Sequence, residues 1–352
     1  MESIHSSSIL NCKISALNFN SKYLSRMRQT RTQRTAWYRT AVDHTKLKLL
    51  AQTDNTTGLL YLSGFVLMLS VSGFLAFLSI GTLWVIPAFL AYGGMWVFAT
   101  SIAHETCHGT AFRSRWLNES VLFLSGLMVQ QTPTGLRWTH VRHHNHTGIK
   151  DKDVELVLAN PLSWRRFLWG QLCDVNSLSY YAKLVVLLSL GKPDPEHLDC
   201  LSYKALKRAC WEARIFFLVY GLVILWSLLL QTWLPIIMLL FPRVAGAPVH
   251  GVILATQHIG LDQNVRDYRA TTRTMKINPL LRFIYWNMNY HIEHHMYRMV
   301  PFHALPVLHD EIKHDCPEPT RGIHGALQEI FHTIKKQKLD PDYSLPRAFN
   351  SS

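Results

Sequence analysis

The sequence predicts an all-α, multi-pass membrane protein: four transmembrane helices in two hairpins, with a cytosolic helical cap that holds a histidine-rich metal site. Three observations carry this expectation. Charged residues are 17% of the chain, against about 25% in ordinary soluble domains. Apolar residues gather in two long blocks rather than at helical spacing throughout. Histidines gather in three short clusters that lie outside those blocks: His104 and His108; His140, His143, His144 and His146; and His291, His294 and His295.

The 352 residues divide into a basic, disordered cytosolic arm over residues 1–50, a membrane domain over 51–316 and a polar C-terminal tail over 317–352. The first 40 residues contain a single acid, Glu2. They are Ser-rich, and a transit peptide is the other reading of that composition. The net charge is +13, from 36 basic and 23 acidic residues. These charges flank apolar blocks, so anionic lipid is the expected counterpart and nucleic acid is not. Six cysteines form no CxxC pair, which argues for a reduced site without a disulfide framework.

Residues 59–103 contain no Asp, Glu, Lys, Arg or His, enough for two helices of about 20 residues each. Gly81 and Pro87 mark the expected turn. The second block runs uncharged over residues 215–242, and continuation to Gln257 gives it the length of another hairpin, with a turn at Trp233, Leu234 and Pro235. Arg243 interrupts it. An arginine in mid-membrane costs several kcal/mol unless it is paired or reaches the interface, and both placements are open. Residues 117–131 and 178–190 are apolar but too short to span, and read as interfacial or re-entrant helices or as packing within the cap.

Orientation follows from charge. Residues 21–50 carry eight basic side chains and one acid, whereas the first turn is uncharged. This places the N-terminus in the cytosol. Two hairpins return the chain there each time, so both termini and all three histidine clusters share that side.

His104 and His108 are four residues apart, hence on one helix face. His140, His143 and His144, and likewise His291, His294 and His295, occupy two faces of a turn. Eight imidazoles exceed the four ligands of a tetrahedral zinc site and suit two metal ions in one cavity. Iron is the natural choice where O2 must be activated against an unactivated C–H bond. One competing motif is present. His104-Glu105-Thr106-Cys107-His108 matches HExxH, in which Glu105 is the general base of a zinc membrane protease. That reading leaves the other two clusters unexplained. A non-catalytic metal-binding or transport protein is a third class.

Two segments carry a resemblance: residues 104–112 (HETCHGTAF) and residues 287–306 (NMNYHIEHHMYRMVPFHALP). With the middle cluster they resemble the three histidine boxes of the membrane fatty acid desaturase/hydroxylase superfamily, over about residues 59–313. In detail the chain looks closest to the rhizobitoxine-desaturase-like branch. The resemblance implies two iron ions held by His104, His108, His140, His143, His144, His291, His294 and His295, with His258 as a ninth ligand and O2 as co-substrate. His146, Asp151, Asp153, Asn289 and Glu293 are candidates for supporting the ligands. Gln130, Gln131, Thr132 and Trp138 are candidates for the polar end of an apolar substrate channel. The implied activity is desaturation of an aliphatic chain, in a fatty acyl, other lipid-like or small molecule. The alternative is hydroxylation, including of carotenoid-like substrates. No His-Pro-Gly-Gly heme motif is present, so a separate cytochrome b5-like or ferredoxin-like electron donor is expected. The location is the endoplasmic reticulum membrane in a eukaryote or the inner membrane in a bacterium.

Overall fold

A computed structural model describes residues 36–156 and 161–349. Among these the regular structure is helical, with isolated bridges and no strands. The basic arm expected to be disordered lies, up to residue 35, outside the described residues. From Tyr38 onward the chain forms one unit. It opens with α1 (His44–Leu50), which Asp43 caps through the amide of Lys46 at 2.9 Å.

The first membrane-length helix is α2 (Asn55–Leu78). Asp54 caps it by accepting from the Thr57 amide at 2.7 Å. Its 24 residues reach about 36 Å at 1.5 Å per residue, longer than a hydrocarbon core of about 30 Å. Only Gly58, Phe65, Gly73 and Ala76 are buried. Leu67, Phe74 and Leu78 are exposed, a surface for lipid rather than water. A turn at Gly81, with φ +82°, leads back. There α3 (Val85–Val97) and α4 (Ala99–His108) follow one another through Phe98 and together have the length and composition of a second span. Gly109, at φ +76°, stops α4 immediately after His108. Only a residue without Cβ adopts that left-handed cap cheaply.

The cap helices α5 (Arg115–Val129) and α6 (Pro133–His146) come next. Leu122 of α5 packs on Ala103 and Cys107. Then α7 (Val175–Ser189) packs Leu184 and Leu188 against Cys210 and Ala213 of α8 (Tyr203–Leu229). Both short apolar segments therefore bury one face in the protein. Their outer faces keep Trp116, Leu124 and Val186 exposed. The third membrane-length helix is α8. Its polar first turns hold Glu212, which accepts from the Thr134 amide at 2.8 Å and the Thr134 hydroxyl at 2.7 Å and so ties down the start of α6.

The return from α8 differs from a single straight span. It is three short helices, α9 (Leu234–Leu239), α10 (Phe241–Ala245) and α11 (Ala247–His258), each with a proline at its N-terminus. Proline suits a helix start and breaks a helix interior, which explains the segmentation. Among the described residues, three helices are long and apolar enough to cross a membrane. Arg243 is buried. Its Nη2 lies 3.0 Å from Asp174 Oδ2, and Asp174 is buried as well. The backbones of α3 and α10 meet at Gly93 and Gly246, where a Cβ on Gly246 would fall 2.0 Å from the Gly93 carbonyl oxygen.

Before residue 317 lie α12 (His291–Met296) and α13 (Leu305–Ile312), and after it α14 (Gly322–Lys336). Ile330 and Ile334 of α14 pack on Ala255 and Ile259, beside the metal-facing end of α11.

Candidate metal centre

Four helices bring nine imidazoles together: the end of α4, the last two turns of α6, the end of α11, and α12. They form two sets. In the first, ring nitrogens of His104, His108, His140, His144 and His294 all lie within 4.8 Å of one another. His143, His258 and His295 form the second. His291 joins the second set, with its Nε2 3.1 Å from His258 Nε2 and 3.3 Å from His295 Nε2. The helix period explains the division. In His140-x-x-His143-His144, residues i and i+4 face one set and i+3 faces the other. In His291-x-x-His294-His295 the same split runs with the sets exchanged.

Ring orientation is set from outside. His140 Nδ1 lies 2.9 Å from Glu155 Oε2, and His143 Nδ1 lies 2.9 Å from Asp153 Oδ2. His258 Nδ1 faces the Thr271 carbonyl oxygen at 3.0 Å. His295 Nδ1 lies 3.2 Å from Thr147 Oγ1, whose hydroxyl donates to the His143 carbonyl oxygen, leaving a lone pair for the ring N–H. With Nδ1–H bound in this way, Nε2 keeps its lone pair for the interior.

Electrostatics agree with a site built for a cation. Burial and neighbouring rings push His291, His294 and His295 well below the usual histidine range, so these imidazoles are neutral at neutral pH. Burial acts against the Asp153 carboxylate, but its pairing with His143 and hydrogen bonds from the Gly148 and Glu155 amides outweigh it and hold Asp153 at about 2. Several buried ring nitrogens have no hydrogen-bond partner: both of His104, Nε2 of His108 and Nδ1 of His144, His291 and His294. Nε2 atoms also confront each other, at 3.0 Å for His140 and His144 and at 3.1 Å for His144 and His294. A buried unpartnered polar nitrogen costs about 1–3 kcal/mol. Shared cations relieve the facing Nε2 lone pairs and one unpartnered nitrogen on each of His104 and His108. Nine imidazoles in two adjoining sets, without thiolate, exceed one structural zinc site and suit a pair of first-row metals.

The chain's own family emerges from comparison with known proteins. A model of the family described as fatty acid desaturase matches residues 82–325, well over half of the 352 residues. The chain belongs to the fatty acid desaturase family. The matched region of this desaturase-family protein contains all nine clustered histidines. It is also similar to the Delta(6)-fatty-acid desaturase fat-3 of Caenorhabditis elegans, 23% identical over 248 residues, 62% of this chain and 55% of that protein. It thus spans about half the length of this curated relative. Neither match points to the rhizobitoxine-desaturase-like branch.

The remaining candidates divide. Asp153 reaches the His143 ring, whereas Asp151 is exposed in a left-handed turn at φ +61°. The carboxylate on His140 is Glu155, which sequence reasoning missed. Its only signal was the alternation Asp151, Asp153, Glu155, and the turn decides which two face inward. His146 is half-buried and outside both sets. Asn289 Nδ2 donates to the Met275 carbonyl at 2.8 Å. Glu293 accepts from Thr274 Oγ1 at 2.6 Å and pairs with His309, anchoring α12 from its far side. Glu105 is absent from both sets and buried. Its Oε1 accepts from Thr110 Oγ1 at 2.6 Å and the Phe302 amide at 3.2 Å. The zinc-protease reading needs that carboxylate beside the metal, so the geometry goes against it.

A cavity of about 120 Å³ adjoins the rings, lined by His104, His140, His143, His258 and His291 and by apolar Val97, Phe98 and Ile253. Gln131 lines it, and Thr132 lines a smaller cavity that shares Gln131. Gln130 closes α5 at φ +66° and lines neither cavity, while Trp138 is 42% exposed and also outside both.

Proposed function

We propose that this protein is a membrane di-iron desaturase that uses O2 to remove two hydrogens from an aliphatic chain. The observation that carries the proposal is the pair of imidazole sets beside one cavity. His104, His108, His140, His144 and His294 hold one iron, and His143, His258, His291 and His295 the other. When bound, the metals supply O2 activation and the oxidising power for C–H cleavage. The rings hold position, Asp153 and Glu155 keep His143 and His140 turned inward, and Val97, Phe98 and Ile253 keep the reacting carbons away from bulk water. Two hydrogens from the substrate, with two electrons and two protons from outside, reduce O2 to two waters. The electrons come from a separate redox protein.

In the membrane, α9 to α11 complete a fourth, broken crossing beside α3, and both termini are cytosolic. The basic excess before α2 supports that orientation. The arginine within that crossing is tolerated because it pairs with Asp174 inside the protein.

The test is elemental analysis of detergent-purified protein with His143→Ala alongside, together with lipid and metabolite profiling of expressing cells. About two irons per chain, lost in the variant, with a new unsaturated product, is the expected result. One zinc per chain, retained in the variant after iron supplementation, overturns it. An alcohol product in place of an alkene replaces desaturase with hydroxylase.

A further inference from the structure

The cavity beside the rings carries polar atoms that metal binding does not use. His250 lines it, is 3% exposed and belongs to neither imidazole set. Its Nδ1 lies 2.7 Å from Asp174 Oδ2, the same oxygen that receives Arg243 Nη2 at 3.0 Å. The carboxylate already faces a guanidinium and takes the imidazole N–H as a neutral donor. Nδ1 therefore holds the proton and Nε2 keeps its lone pair. Gln131 lines the same cavity and is 9% exposed, and its Oε1 accepts no hydrogen bond. Tyr285 also lines it; its hydroxyl accepts from Gln257 Nε2 at 2.7 Å and so retains its own O–H to donate.

These groups are costly in a cavity that takes only hydrocarbon, because each buried acceptor left unpaired costs about as much as a hydrogen bond gains. They suit a ligand that donates and is uncharged. A carboxylate brings further acceptors to Gln131 Oε1 and His250 Nε2, and the acid that lines the cavity, Glu155, is already held by His140 Nδ1 at 2.9 Å, so it is not free to receive an ammonium.

We propose that this cavity holds an aliphatic substrate bearing neutral hydroxyl or amide N–H donors near the reacting carbons, accepted by Gln131 Oε1 and His250 Nε2. The proposal rests on the function proposed above and narrows its substrate class. Gln131 and His250 are specificity-determining residues, and Asp174 is a positioning residue that acts through His250.

The test uses hexan-1-ol and its isomer methyl pentyl ether, which contain the same atoms but differ in the O–H donor. Binding to the purified full-length protein in detergent is followed by saturation-transfer NMR. The alcohol is expected to bind about tenfold more tightly, the size of one hydrogen bond to a buried acceptor. Gln131→Leu and His250→Phe each bring the ratio toward one. Equal binding of the isomers to the wild-type protein overturns the proposal, as does a preference that both variants retain. Hexanoate provides an arm that needs no variant to fold: binding equal to that of the alcohol also overturns it. Iron content of the same samples separates the two claims. Alcohol selectivity without iron in any preparation defeats the di-iron function and leaves the cavity assignment standing. Two irons with no selectivity does the reverse.

Discussion

His143 and Asp153 meet at 2.9 Å, both almost wholly buried, ten residues apart across the end of α6. The carboxylate fixes the ring's tautomer as well as its direction. Asp153→Asn can hold the ring while reversing or weakening that preference. It is expected to lower metal affinity about 10- to 100-fold, measured by competition with a chelator, with little change in helix content. Asp151→Asn, on the exposed neighbour, leaves affinity unchanged. Equal effects of the two variants would remove the assigned role of Asp153.

Arg243 of the returning segment forms a buried ion pair with Asp174, which precedes α7. Arg243→Met leaves an uncompensated buried carboxylate and is expected to destabilise by about 3–5 kcal/mol, whereas adding Asp174→Asn restores part of the loss. Thermal unfolding in detergent reads both. A single variant no less stable than the double one contradicts the pairing.

Gly246→Ala puts a Cβ 2.0 Å from the Gly93 carbonyl oxygen, and both are backbone-anchored. The crossing of α3 and α10 must open, at a cost of at least about 1–3 kcal/mol. Gly221→Ala is the control: nothing lies within 4 Å of its Cβ on α8, and helix propensity favours alanine by about 1 kcal/mol. Opposite signs in the two melting temperatures are expected.

Asp194 accepts from the His197 amide at 2.9 Å and from His197 Nδ1 at 2.7 Å. Burial opposes its ionisation, but these bonds outweigh burial and hold it at about 2. A folded-state value below the unfolded one means the contribution is present at neutral pH, declines below about pH 4 and is lost as pH falls through about 2. Partial exposure limits it to on the order of 1 kcal/mol. Melting temperature against pH is expected to flatten in Asp194→Asn over that window. An unchanged slope would assign the acid sensitivity elsewhere.

Glu105→Gln separates two chemistries. The amide keeps an acceptor for Thr110 and Phe302, so metal content and fold are expected to persist. A general base of an HExxH hydrolase tolerates no such change, and abolition of a hydrolytic activity with retained zinc would revive that reading.

The sequence by itself determined the membrane-length helices, the three histidine clusters and their faces. These are local properties: uncharged length, and the three- and four-residue spacings that one helical turn places together. His140 and His144 are partners because four residues make about one turn, whatever the fold. His258 has no such spacing to betray it and came only from resemblance. The tertiary structure alone decided which faces from different helices share a set, that Glu155 rather than Asp151 meets the His140 ring, and that Arg243 pairs with Asp174. Each depends on a long-range approach, 69 residues for Arg243 and Asp174 and 150 for His144 and His294. No local periodicity encodes such a meeting. It is fixed by how the helices pack, with Gly93 and Gly246 setting one crossing and prolines dividing the return into segments that turn His250 and His258 inward.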